Sequence, residues 1–218
     1  MFVGHYGPSF AGKAARHSIP LWVLFIAVQF LDVCWSILVL AGIEKVRIVP
    51  GITKTNPLDL YYMPYTHSLD GALALSALAG FAYWLWRRRE GLGSAAVVAG
   101  AVFSHWVLDF VVHRPDLPLY DNSVKVGLGL WDYPAPAFAL ELAILFGGMW
   151  FYLRSTRAVN ALGRYGMVVF GILMACVQAY VFFGAPPDSD RAAAVTALIA
   201  YAVFAAIAGW LEKTRRVI

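Results

Sequence analysis

Apolar residues run along this chain in long blocks with few polar interruptions. They show neither the strict alternation of a half-buried strand nor the one-sided stripe of a surface helix. Six blocks approach or reach the roughly 20 residues that a bilayer-spanning helix needs. They are Pro20–Gly42, His67–Trp86, Ser94–His113, Ala135–Leu153, Tyr165–Gly184 and Ala192–Leu211. Together they occupy more than half of the chain, and the rest is spread over loops and tails too short for a separate soluble domain. The pattern predicts an all-α polytopic membrane helical bundle of about six transmembrane helices, one integral-membrane domain over residues 1–218. The mostly apolar Met1–Gly12 adds a short N-terminal helix that either dips back into the membrane or lies on its surface.

Composition sharpens this. Hydrophobic residues make up 61% and charged residues 14%, against about 25% charged in soluble domains. A soluble enzyme, a disordered chain and a secreted disulfide scaffold are excluded. Cys34 and Cys176 both fall inside apolar blocks and form no CxxC pair, so they read as buried thiols. Lys13 and Arg16 precede the first block as in a signal peptide, but the block carries Asp32 and lacks a small-residue exit, so it is expected to stay as an anchor.

The basic residues set the expected orientation. With six spans both termini share one side, which carries eleven Lys and Arg against six on the other. The positive-inside rule then puts both termini in the cytoplasm. The net charge of +4 is explained by topology, and no nucleic-acid partner is implied. Arg87, Arg88 and Arg89, after Trp84 and Trp86, read as a membrane-edge anchor. The two long loops, Ile43–Thr66 and Arg114–Pro134, share the other side. Loops of this length without structure of their own are usually functional.

Ionisable residues inside spans are costly and point to function. Here they are Asp32, His67, Asp70, His105, Asp109, His113 and Glu141. His105 and Asp109 are i,i+4, on one helical face, and an imidazole and a carboxylate one turn apart can grip one zinc-type ion. The plain alternative is a His–Asp hydrogen bond tying two helices together. His113 lies ~12 Å along the axis from His105, which argues against a shared ion. His67 and Asp70 sit three apart at a helix start, where the helix dipole alone would favour an acid. Depth joins these pairs. His67 and Asp70 lie at the outer end of their span, Asp109 and His105 roughly 6 and 12 Å below the end of theirs, and Asp32 about 15 Å below its own. A hairpin of the N-terminal helix against the first span would bring His5 to the level of Asp32. His17 adjoins the basic edge and reads as incidental. Trp131-Asp132-Tyr133-Pro134 reads as an interfacial aromatic belt, with Asp132 a weaker site candidate, and Glu141 as either a base facing the cluster or a partner for Arg114.

Gly4-His5, Asp32, Thr66-His67-Ser68-Leu69 and Ser104-His105-x-x-x-Asp109 resemble, in order and spacing, the motif set of the YdjM-like integral-membrane proteins. The resemblance covers about residues 1–120. It departs at Leu31-Asp32-Val33-Cys34, where the family often has a DxDH-like run, and at Tyr62, where it often has histidine. The family is described as metal-dependent hydrolases of the bacterial inner membrane. Residues and resemblance together lead to a zinc-type membrane hydrolase acting on a lipid-like or amphiphilic ester or phosphoester at the outer half of the membrane. His5, Asp32, His67, His105 and Asp109 are its expected metal residues and Asp70 its expected catalytic base. The rival is a non-catalytic membrane protein, either a permease-like carrier or an accessory subunit, since intramembrane charges also make ion pathways.

Overall fold

The computed structural model describes residues 1–218. Its helices in chain order are α1 (Tyr6–Ala15), α2 (Leu21–Val28), α3 (Phe30–Leu40), α4 (Leu69–Trp86), α5 (Gly91–Val112), α6 (Pro134–Arg154), α7 (Ala161–Phe183) and α8 (Asp190–Glu212). Five of them, α4 to α8, are long and apolar enough to cross a membrane, and the bent pair α2–α3 makes up to six. The chain is an all-α bundle and a multi-pass membrane protein. The first span is not the continuous helix the sequence suggested. It breaks at Gln29 and bends by 55°. At this break the Val28 carbonyl accepts a hydrogen bond from the His105 side chain.

The ends of the other spans follow local chemistry. Pro134 opens α6, where the missing N–H costs nothing. Ser68, Asn160 and Ser189 cap α4, α7 and α8, each accepting a hydrogen bond from a first-turn backbone N–H. Both long loops fold into antiparallel hairpins: β1 (Lys45–Ile48) with β2 (Leu58–Tyr62), and β3 (Leu117–Tyr120) with β4 (Ser123–Val126). They lie at the same end of the bundle. At the opposite end β5 (Thr156–Ala158) pairs with β6 (Arg215–Val217), tying the α6–α7 loop to the C-terminal tail. Arg215 donates there to the carbonyls of Leu153, Thr156 and Gly163, satisfying acceptors that a helix end leaves open.

The N-terminal helix is inside the bundle. A single turn, Val3–His5, leads into α1, and Val3, His5, Tyr6 and Phe10 are fully buried. Pro8 sits in the first turn of α1 and breaks nothing. Small residues admit the helix: a Cβ on Gly7 would lie 2.3 Å from the Ile144 carbonyl oxygen, and one on Gly148 would lie 2.1 Å from that of Gly7. Close backbone approach of this kind is how helices associate where lipid removes the hydrophobic drive. Below, Lys13 pairs with Glu212 and donates to the carbonyls of His17 and Ile19, anchoring the lower end of α1. Tyr6, Phe10, Phe25, Phe170 and Phe204 fill the core around it.

Candidate metal centre

The Thr66-His67-Ser68 segment works as three adjacent devices. Ser68 starts α4 and fixes where the chain turns into the helix. Trp106 Nε1 donates to the His67 carbonyl at 3.0 Å, holding that turn against α5. Thr66 Oγ1 donates to Glu44 Oε2 at 2.6 Å. With its own proton committed, the hydroxyl accepts at 2.8 Å from His67 Nδ1. His67 therefore carries a proton on Nδ1 and turns its Nε2 away from Thr66 toward Asp32.

Two more histidines are set the same way. His105 Nδ1 donates to the Val28 carbonyl at 2.7 Å, and a carbonyl can only accept. His113 Nδ1 lies 2.9 Å from Asp116 Oδ1, and Asp116 is held in turn by Arg114 Nε at 3.2 Å. Ring tautomers fixed by a hydrogen bond on the far nitrogen are typical of metal-binding histidines.

The Nε2 atoms converge on two carboxylates. His67 Nε2 is 3.3 Å from Asp32 Oδ1 and 3.7 Å from Asp109 Oδ2; His105 Nε2 is 3.6 and 3.1 Å from the same two atoms. His113 Nε2 is 3.5 Å from Asp109 Oδ2. On the other side of that carboxylate, His5 Nε2 lies 3.1 Å and the Met1 amine 2.5 Å from Asp109 Oδ1. The His5 and His105 rings stack at 3.8 Å. Asp109 is buried, Asp32 nearly so. Tyr201 of α8 donates to Asp32 Oδ2 at 2.7 Å and fixes that carboxylate.

Two carboxylates in a buried site need positive charge beside them. The Met1 amine supplies one such charge at Asp109 Oδ1, and a divalent cation among the Nε2 atoms would supply more without crowding several imidazolium rings together. The spacing fits this. Bonds of about 2.0–2.1 Å in a tetrahedron put neighbouring ligand atoms about 3.3 Å apart, close to the 3.1–3.7 Å that separate the Nε2 atoms of His67 and His105 from the carboxylate oxygens of Asp32 and Asp109. Two groups, His5–His105–Asp109 and Asp32–His67–His105, each bring three such atoms within 4.8 Å of one another. Both use His105. Its Nδ1 is engaged elsewhere and its Nε2 can bind only one ion, so His105 serves a single position.

All five metal residues expected from the sequence meet here. His113 belongs to neither group, in keeping with its axial distance from His105, although its imidazole reaches back along the helix to the Asp109 oxygen that His105 also faces. Three further expectations are corrected. Asp70 is exposed in the first turn of α4, outside the cluster. It complements the helix dipole there, and the structure does not bring it to the site as a base. Glu141 neither pairs with Arg114 nor joins the cluster: its Oε2 accepts from the backbone N–H groups of Phe2 and Gly4, both at 3.0 Å, holding the turn that delivers His5. Trp131 packs on His113 at 4.1 Å between ring centres, closer to the site than an interfacial belt would be, while Asp132 is exposed. Glu44 and Tyr201 were missed. Glu44 looked like an ordinary loop acid, and a tyrosine in an apolar helix carries no signal of its own. Gln178, a polar residue within α7, accepts a hydrogen bond from the Val3 N–H.

The cluster forms one wall of a cavity of about 690 Å³. Asp32, His67, Asp109, His113 and Tyr201 line its inner end, and the 50–58 turn between β1 and β2 lines its mouth. No family model, no curated protein and no solved structure matches the chain.

Proposed function

We propose that the chain is a divalent-metal-dependent membrane hydrolase, akin to the YdjM-like proteins, that cleaves an amphiphilic ester or phosphoester from the loop-bearing face. In this reading the loop-bearing face is external, the termini are cytoplasmic, and the membrane is the bacterial inner membrane. The observation that carries it is the set of three histidines, each with Nδ1 hydrogen-bonded to an oxygen, whose Nε2 atoms face two carboxylates beside a cavity.

Asp32, His67, His105 and Asp109 hold the ion, with nitrogen and oxygen donors suited to zinc. When bound, such an ion acidifies a water and polarises a carbonyl or phosphoryl oxygen. The protein's own residues do the rest. Tyr201 and Thr66 keep Asp32 and His67 oriented. His113 Nε2 takes a proton at the cavity wall, and Asp116 stabilises the resulting charge through Nδ1–H. Trp131 shields that ring from water.

The test pairs metal analysis with turnover. Purified protein kept metal-replete and chelator-free is expected to retain a stoichiometric divalent ion and to hydrolyse a fluorogenic amphiphilic ester or phosphoester. Chelation and His105→Ala are each expected to abolish both. A folded protein with no stoichiometric ion would overturn the reading and favour a non-catalytic subunit.

A further inference from the structure

Beyond the cluster, the cavity runs between two helices that the metal centre barely uses. One wall is α7, through Val177, Val181 and Phe182; the other is α8, through Ala193, Ala197 and Ala200. On α8 these alanines fall at i, i+4 and i+7, one face of the helix, and their short side chains leave the slot open. Tyr180, Val181 and Thr196 belong to the cavity wall and are also exposed on the outside of the bundle. These positions lie within spans, so the slot opens toward lipid. The linker between the helices contains Pro186 and Pro187, which also line the cavity. Proline fixes φ and offers no N–H for pairing, so this linker crosses the gap as an unpaired strap.

The cavity thus has two regions of different character. Under the 50–58 turn it meets Thr53, Lys54 and Asn56, which are polar. Between α7 and α8 it is mostly apolar, with Val177, Val181, Phe182 and the three alanines outnumbering Tyr180, Thr196 and Tyr201. The His–Asp cluster lies where the two routes join. A molecule fitting all three regions has a polar headgroup, an ester or phosphoester linkage, and an acyl chain, in that order.

We propose that the centre draws a glycerolipid sideways from the bilayer, with one acyl chain lying in the slot between α7 and α8 and the headgroup leaving beneath the 50–58 turn. The inference rests on the hydrolase reading for the fate of the lipid, but not for its binding. Polar access alone would have needed only the mouth. A slot walled by alanines on one side and by valine and phenylalanine on the other has no use for a wholly water-soluble substrate.

The test uses the full-length protein in phosphatidylcholine vesicles containing a phosphatidylglycerol with a photoactivatable diazirine on an acyl methylene close to the ester. Trp35 lines the cavity but is only 5% exposed, so lipid surrounding the bundle cannot reach it. Illumination is expected to label Trp35, as read by peptide mass spectrometry. Ala197→Phe and Val181→Trp fill the slot from opposite walls, and each is expected to remove that label while metal content per chain stays that of the unaltered protein. An unlabelled Trp35, or equal labelling in both variants, would overturn lateral entry. If the protein holds no metal yet labelling follows this pattern, the hydrolase reading fails and the slot stands. If metal and turnover are present without the label, substrate enters from water through the mouth and the slot proposal fails alone.

Discussion

His105 and Asp32 face each other at 3.6 Å, Nε2 to Oδ1, and the same backbone irregularity serves both. Asp32 sits in the first turn of α3, directly after the break at Gln29. His105 is fixed by a hydrogen bond to the carbonyl of Val28, the last residue before that break. A single bend in the first span therefore places one residue of the cluster and orients another.

The hydrogen bonds behind the rings should tune the ion. Thr66→Val removes the acceptor for His67 Nδ1 while keeping the side-chain shape. Changes of this kind outside the ligands typically cost 10–100-fold in metal affinity, and a loss of about that size is expected in a chelator competition assay. Thr66→Ser should recover most of it. Equal affinity in Thr66→Val and unaltered protein would mean that His67 does not bind through a fixed tautomer.

Residues of one centre should fail together. His67→Ala, His105→Ala and Asp109→Ala are each expected to lower metal content sharply, and a double variant to lose little more than either single one. Residues in one network couple, whereas distant independent sites add to within about 0.5 kcal/mol. The informative pair is His67→Ala with His105→Ala, measured at matched thermal stability. Additive losses in binding free energy would mean that the two motifs serve separate sites.

Asp70 and His17 are the contrasting controls. Asp70→Ala should keep full metal content and turnover, and should cost only the roughly 0.3–1 kcal/mol of a first-turn acid at a helix N-terminus. His17→Ala, at the opposite end of the bundle from the cluster, should change neither. Loss of turnover with retained metal in Asp70→Ala would restore Asp70 as a catalytic base.

The position of α1 depends on two glycines. Gly148→Ala places a methyl 2.1 Å from the Gly7 carbonyl oxygen, so α1 must move away from α6. Overpacking of this kind costs about 1–3 kcal/mol, visible as a lower melting temperature in detergent. Because α1 is continuous with the turn carrying His5, metal affinity should fall as well. Gly147→Ala, where a Cβ meets nothing within 4 Å, is the matched control and should leave both unchanged.

Orientation is open to a direct check. In a background without Cys34 and Cys176, Ser123→Cys at the tip of the β3–β4 hairpin should react with a membrane-impermeant thiol reagent in intact cells. Arg157→Cys, in the loop that β6 covers, should react only after permeabilisation. The reverse pattern would place the metal centre on the cytoplasmic side.

Much of this protein is legible along the chain because its physics is one-dimensional. Length and hydropathy are enough to specify a membrane span, so α4 to α8 follow from runs of apolar residues. The cost of an ionisable group in lipid marks His67, His105, Asp109 and Asp32 without any knowledge of their neighbours. The i,i+4 spacing of His105 and Asp109 places them on one face by helix geometry alone.

Tertiary structure decided what depends on relations between elements. Whether His5 reaches Asp109 turns on whether α1 can enter the bundle, and that is set by Gly7 against Gly148, far apart in sequence. Axial rise separates His105 from His113, but side-chain reach brings both to one oxygen of Asp109. Glu44 acts through the Thr66 hydroxyl and Tyr201 through Asp32; neither residue type is unusual where it stands, so only proximity reveals it. The break at Gln29 lies within a predominantly apolar run, with no proline or glycine between Leu21 and Ala41 to announce it. The sequence determines which residues cannot rest in lipid without partners. Packing determines which partners they find, because a side chain's chemistry is local but its neighbours come from anywhere in the chain.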